Sequence, residues 1–134
     1  VKDVDFGRNQ LTVRHGKGGK DRVTLFPAGL QAPLRRQLLL VKEKHERDRK
    51  RGAGWVLLDP ALRRKFPNAG QELSWQWVFP ATRVHIEPET GNGWRHHLHE
   101  SVLQRAVKQA SVRAQITKRV TCHALRHTFA THLL

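Results

Sequence analysis

The stretch KRVTCHALRHTFATHLL, residues 118–134, sets His123 and Arg126 three positions apart. On a helix, side chains at that spacing point the same way, so the two can grip one anion together. Arg126 offers a planar fork of donors matched to two phosphate oxygens. His123 adds a hydrogen-bond donor or a proton shuttle. Near a helix start, free backbone N–H groups strengthen such a site. The chemistry is phosphate binding or phosphoryl transfer. On spacing alone, the same residues also describe a surface histidine beside a salt-bridging arginine.

A second group lies in HGKGGKDR, residues 15–22. A lysine on a glycine-flexed loop can reach away from its own sheet and over a bound backbone. Lys17 and Lys20 are the candidates, with Arg22 at the base. An ordinary basic hairpin tip has the same composition. The stretch is not a P-loop, because the GKS/T ending and the following helix are missing.

Aromatic residues form a third group. Flat side chains on loops can stack on unpaired bases, at about 1–3 kcal/mol per base. Trp75, Trp77, Trp94 and the His96–His97 pair stand near Pro88 in irregular chain, with the cation Arg95 among them. Trp55 and Trp77 read as packing residues, and the sequence does not decide Trp94. Lys118 and Arg119 add phosphate-neutralising charge ahead of the last helix. His96, His97, His99 and Glu100 are close in sequence, as are Cys122, His123 and His127, and an i, i+4 histidine pair can chelate zinc. No paired cysteine exists, however, and His123 and His127 lack a nearby carboxylate, so no metal is expected.

The elements that must carry these groups follow from periodicity. Residues 10–14 and 22–26 are β-branched, alternating runs around a glycine-rich link, the pattern of a hairpin with a long loop. Val1 to Phe6 can supply an edge strand. After Pro27, Leu30, Leu34, Leu38 and Val41 recur at helical spacing. This helix is expected to fray in the charged run 42–51, read as a mostly solvated face, and to stop near Gly52. Residues 53–95 look irregular, punctuated by Pro60, Pro67, Pro80 and Pro88, with short helices at 61–66 and 71–77 and a turn-rich loop at 87–93. Leu98, Val102, Leu103, Ala106, Val107 and Ala110 mark a further helix. A last helix starts after Thr121, a fitting N-cap, with Leu125, Phe129 and Leu133 on its buried face and His123, Arg126 and His127 on an adjoining one.

Composition bounds the partners. Twenty-five Lys and Arg against 11 Asp and Glu give a formal charge of +14 over 134 residues. A positive field that strong on one domain calls for a polyanion, nucleic acid first, although a ribosomal-type or merely basic domain would share it. A single cysteine, Cys122, excludes an internal disulfide and suits a reducing compartment. No apolar run reaches the roughly 18 residues of a membrane span. The opening VKDVDF reads as the middle of a fold, so a fragment is expected.

Taken together, GKGxKxR on a hairpin, a long gap, and HxLRHxxATHLL resemble the tyrosine recombinases, the phage-integrase superfamily. ALRRKFPNAGQELSWQWVFPA, GNGWRHHLHESVLQRAVKQA and KRVTCHALRHTFATHLL are similar to the integron integrases, which carry an extra helical insertion, here about 60–79. The resemblance covers nearly the whole chain as part of a C-terminal catalytic domain. It implies an α+β, mainly α fold: a helical catalytic core with a small antiparallel sheet near the N-terminus. It also implies cutting and rejoining of DNA through a 3′-phosphotyrosyl intermediate, without metal, ATP or other cofactor, to insert and excise gene cassettes.

By position, Lys17 matches the lysine that protonates the leaving 5′ oxygen. His123 matches the histidine that assists proton transfer and holds the phosphate, and Arg126 the arginine that stabilises the transition state. The three are expected to surround one DNA phosphorus. The first family arginine falls before Val1. The later histidine and the tyrosine fall after Leu134, and the chain contains no tyrosine. The fragment is therefore expected to be inactive and to lack the N-terminal DNA-binding domain, whereas its parent is an enzyme. Implied partners are DNA, including folded single-stranded hairpins whose unpaired bases would meet, by position, Trp75, Pro88, His96 and His97 with Arg95 as a further DNA contact, and further copies of the parent in a tetramer on DNA. The implied setting is the bacterial cytoplasm and nucleoid, with no membrane. The alternatives are a non-catalytic basic nucleic-acid-binding module, another phage-type integrase, or a type IB topoisomerase relative, against which the insertion argues.

Overall fold

The computed structural model describes residues 1–132, with the Lys17 side chain outside that description. It is an α+β, mainly helical fold with a small antiparallel sheet near the N-terminus, in two compact units, Val1–His97 and Leu98–Leu134.

In the first unit, β1 (Val4–Asp5), β2 (Gln10–Val13) and β3 (Arg22–Leu25) form the sheet, in the order β1-β2-β3. Thr12 pairs with Val23 and Val13 with Arg22, so the expected hairpin and edge strand are both present. Its long loop is closed by Asp21. One carboxylate oxygen accepts from the His15 N–H at 3.0 Å and the other from Arg14 at 2.7 Å. The Gly16 N–H donates to the Lys20 carbonyl at 3.1 Å. Gly18 and Gly19, at φ +80° and +72°, turn the chain through the left-handed region that glycine enters without steric cost.

The His15 N–H, then Arg14, hold the Asp21 carboxyl below the usual carboxylate range. A depressed folded-state value means a contribution present above the unfolded pKa and lost as pH falls through the folded one. The His15 amide resonance should therefore hold its position from pH 7 to the ordinary aspartate range and move only below it. Movement at the ordinary aspartate pKa would show that Asp21 does not close the loop.

After Pro27 comes α1 (Ala28–Arg49). It does not fray in the charged run but continues through it. The apolar stripe of Leu34, Leu38 and Val41 carries on at spacings of four and three to His45 and Asp48. Val41, His45 and Asp48 are 3%, 6% and 6% exposed. The run is thus a solvated face wrapped around two buried polar residues. Burial pushes the His45 imidazole below its usual range, which favours the neutral ring.

The stretch beyond α1 is held by polar ties rather than a large core. Asp59 caps α2 (Pro60–Lys65), accepting from the Ala61 N–H at 3.0 Å, with Pro60 at the first helical position. The helix expected over 71–77 is instead a pair of three-residue 3-10 turns, Ala69–Gln71 and Leu73–Trp75. Buried Gln76 sits just past them and donates to the Gly54 and Gly70 carbonyls at 3.1 and 3.0 Å. Then β4 (His85–Ile86) and β5 (Gly93–Trp94) form a second hairpin around the turn-rich loop.

Gly93 is required by packing. A Cβ there would come within 2.5 Å of the Ala53 Cβ and 3.0 Å of Val84. Gly93→Ala should destabilise the unit by about 1–3 kcal/mol, read as a lowered Tm. Adding Ala53→Gly should recover part of the loss. A single variant melting with the parent would contradict this packing.

The second unit holds α3 (Glu100–Arg113) and α4 (Cys122–His132). Thr121 caps α4 as expected, its hydroxyl accepting from the Ala124 N–H at 3.1 Å. The expected buried face of α4 is not buried: Leu125 is 50% and Phe129 48% exposed, and Leu133 lies outside the described residues. An apolar stripe is hidden only by an opposing layer, and the described part of this unit is two helices. No helix among the described residues is long and apolar enough to cross a membrane.

Candidate nucleic-acid interface

Helix α4 presents the first group. His123 and Arg126 lie one turn apart and both are exposed. Among the described residues Arg126 has no carboxylate partner, so its fork is open to an external anion. The Nε2 atoms of His123 and His127 are 2.7 Å apart, with ring planes at 79°. One of these nitrogens must donate and the other accept, so His127 orients the His123 ring and couples its tautomer to its own. Helix periodicity places His127 beside His123 but does not specify this contact.

The second group is a cluster of rings in the first unit. The His85 and Trp94 rings stack at 4.9 Å. Trp94 meets His96 edge-on at 5.5 Å, and His96 meets His97 at 4.7 Å. Trp77 stacks near His96 at 6.5 Å and touches His97 edge-on at 5.1 Å. Trp77, His85, His96 and His97 are exposed and Trp94 is half-buried. The arrangement mixes two stacked and three edge-on contacts, and exposed rings of this kind offer π-faces on which a nucleobase can stack.

Of the four residues expected to take a base, His96 and His97 are in the cluster. Trp75 is not: the Lys2 ammonium lies 3.2 Å from its ring centroid, a cation–π contact on one ring face. Pro88 is exposed on the β4–β5 loop, outside the ring contacts. Trp77, read from the sequence as a packing residue, Trp94, which the sequence left undecided, and His85, which it did not single out, complete the cluster. Trp94 and His96 flank Arg95 just past the end of β5, and a period of two is the signal that pairs them.

Alternation also turns Arg95 inward, away from the DNA contact expected of it. Its Nη2 donates to Asp48 at 2.9 Å and its Nε to the other Asp48 oxygen at 2.5 Å. Its Nη1 reaches the Ala81 carbonyl at 3.0 Å and the Thr82 carbonyl as well. The pair is 13% and 8% exposed. Arg95 is thus a structural cation.

Lys20 and Arg22 in the first unit, and Lys118 and Arg119 in the second, are all exposed. Lys17 opens the 3-10 turn Lys17–Gly19 on the closed hairpin loop. Ion pairs among the described residues engage only Arg14 and Arg95, so most of the 25 Lys and Arg are left for an outside partner. No group of three or more His, Cys, Asp or Glu among the described residues is placed to hold a metal ion.

Known proteins are similar to this chain along its whole length. An "Integrase/recombinase" from Escherichia coli and another from Pseudomonas aeruginosa are each 43% identical to the chain over 134 residues. These cover all of the chain and 40% of each relative, so the chain spans 40% of the length of these curated relatives. The "Tyrosine recombinase XerA" of Thermococcus kodakarensis is 33% identical over 132 residues, 98% of the chain and 33% of that protein. The model of the phage integrase family matches residues 1–134, the whole of the sequence, and the chain therefore belongs to that family, the tyrosine recombinases.

Proposed function

We propose that this chain is part of the catalytic domain of an integron-type integrase, with the insertion at about 60–79. The parent cuts and rejoins DNA through a 3′-phosphotyrosyl bond to move gene cassettes. The single observation that carries the integron reading is the cluster of the exposed rings Trp77, His85, His96 and His97 around half-buried Trp94 on a strongly basic chain. Plain duplex offers such rings no free base face. A folded single strand with protruding bases does.

In this reading Arg126 and His123 hold the scissile phosphate. Arg126 neutralises the charge that grows on the non-bridging oxygens, and His123 assists proton transfer, oriented by His127. Lys17 protonates the departing 5′ oxygen. Lys20, Arg22, Lys118 and Arg119 neutralise flanking phosphates. Such work is positioning plus electrostatics and calls on no metal or nucleotide cofactor. The chain has no tyrosine, so the nucleophile comes from elsewhere in the parent and the 134 residues alone do not form the covalent intermediate. The parent acts as a tetramer on DNA.

The test is an anisotropy titration of the full-length parent against two DNAs of equal length, a hairpin with protruding bases and a fully paired duplex. The hairpin should bind about tenfold more tightly, the worth of one stacked base. Equal affinities would leave a recombinase of the family without the integron-type reading.

A further inference from the structure

We propose that Asp48 and Arg95 form a clamp that sets the ring cluster in place before DNA arrives, making them positioning residues for recognition of a protruding base. The inference rests on the reading of the cluster as a base platform.

The clamp joins two parts of the first unit far apart in sequence. Asp48 stands in the last turn of α1, where its backbone carbonyl also accepts from the Arg51 and Ala53 N–H groups at 2.9 Å each. Arg95 lies between two platform residues. Its backbone N–H donates to the Trp55 carbonyl at 3.0 Å, and next to it the His96 carbonyl accepts from the Ala81 N–H at 2.7 Å. The guanidinium meets both Asp48 oxygens and two further carbonyls, so its direction is specified by four bonds. In extended chain, a side chain fixed inward forces its neighbours outward. Arg95 held by Asp48 therefore turns its two neighbours outward, where Trp94 stacks on His85 and His96 meets Trp94 and Trp77.

An ion pair is an odd choice for stability alone. Apolar residues of similar volume often do as well or better at a buried pair. A planar fork between a carboxylate and two carbonyls offers what an apolar contact does not, one defined orientation. This difference separates a positioning role from a packing role.

The decisive variant is the apolar double replacement Asp48→Leu/Arg95→Met in the full-length parent, compared with Asp48→Asn and with the platform variant Trp77→Ala. Each is titrated with the protruding-base hairpin and with a hairpin of the same stem lacking that base. The second readout is the 19F spectrum of protein labelled with 5-fluorotryptophan, with the Trp94 line assigned by Trp94→Phe. The double variant should keep the parent's Tm and its affinity for the plain hairpin, lose about tenfold in preference for the protruding base, and show a broadened Trp94 line. Asp48→Asn should do the same wherever it folds.

Trp77→Ala separates the two ideas. If Trp77→Ala loses the preference while the double variant keeps it with a sharp Trp94 line, the clamp is wrong and the platform stands. If Trp77→Ala keeps the preference, the platform reading falls and the recognition role of the clamp falls with it.

Discussion

Replacing Arg126 by alanine in the full-length protein is expected to lower strand cleavage about a thousandfold or more while leaving DNA affinity within a few-fold. Arg126 is exposed on α4, one turn from His123, and has no acidic partner among the described residues. Its fork has no internal ion-pair competitor among the described residues, and in the proposed reading it faces a phosphate that gains negative charge as it is attacked. Ground-state binding spreads over many cations, so losing one costs little. The transition state concentrates charge on the oxygens that one guanidinium faces, so losing it costs much. Arg126→Lys should rescue poorly, because an ammonium cannot present two parallel donors. The measurement is accumulation of the covalent protein–DNA adduct on a nicked suicide substrate. Cleavage within a few-fold of the parent would remove Arg126 from the site.

The second large effect is on salt dependence. If Lys17, Lys20, Arg22, Lys118 and Arg119 each neutralise a phosphate, log affinity should fall with log salt at a slope of about −4.5, or about 500-fold between 50 and 200 mM. Stacking on the ring cluster is much less sensitive to salt, so the preference for a protruding base should persist as overall affinity collapses. The double variant Lys118→Ala/Arg119→Ala should make the slope shallower by about 2 and leave that preference intact. A slope unchanged by the double variant would place those two side chains off the DNA. Loss of preference in parallel with affinity would mean that the rings contribute nothing of their own.

The hairpin, the three long helices and the Thr121 cap were legible because each depends on neighbours a few residues away. Alternation at 10–13 and 22–25, helical spacing in α1 and α3, and a hydroxyl before α4 are local signals. The histidine–arginine pair on α4 was legible for the same reason, since one helical turn sets its spacing. The misreadings share one cause. The run 42–51 is mostly solvated as read, but it looked set to fray because its composition is charged, whereas the helix continues and buries His45 and Asp48 at the next steps of the stripe. Arg95 looked like a DNA contact because its partner is 47 positions away. Trp75 looked like the stacking residue, but Lys2 covers a face of its ring while Trp77 and Trp94 join the cluster. Leu125 and Phe129 looked buried because a stripe predicts a partner layer without supplying one.

By itself, then, the sequence determined the polyanion-seeking charge, the local elements and the family, all of which are encoded in composition or in spacings of a few residues. Only the tertiary structure decided which cations are tied up internally and which rings meet. Both depend on contacts between segments distant along the chain, where burial strengthens an ion pair or excludes a side chain from solvent, and short-range periodicity carries no information about either.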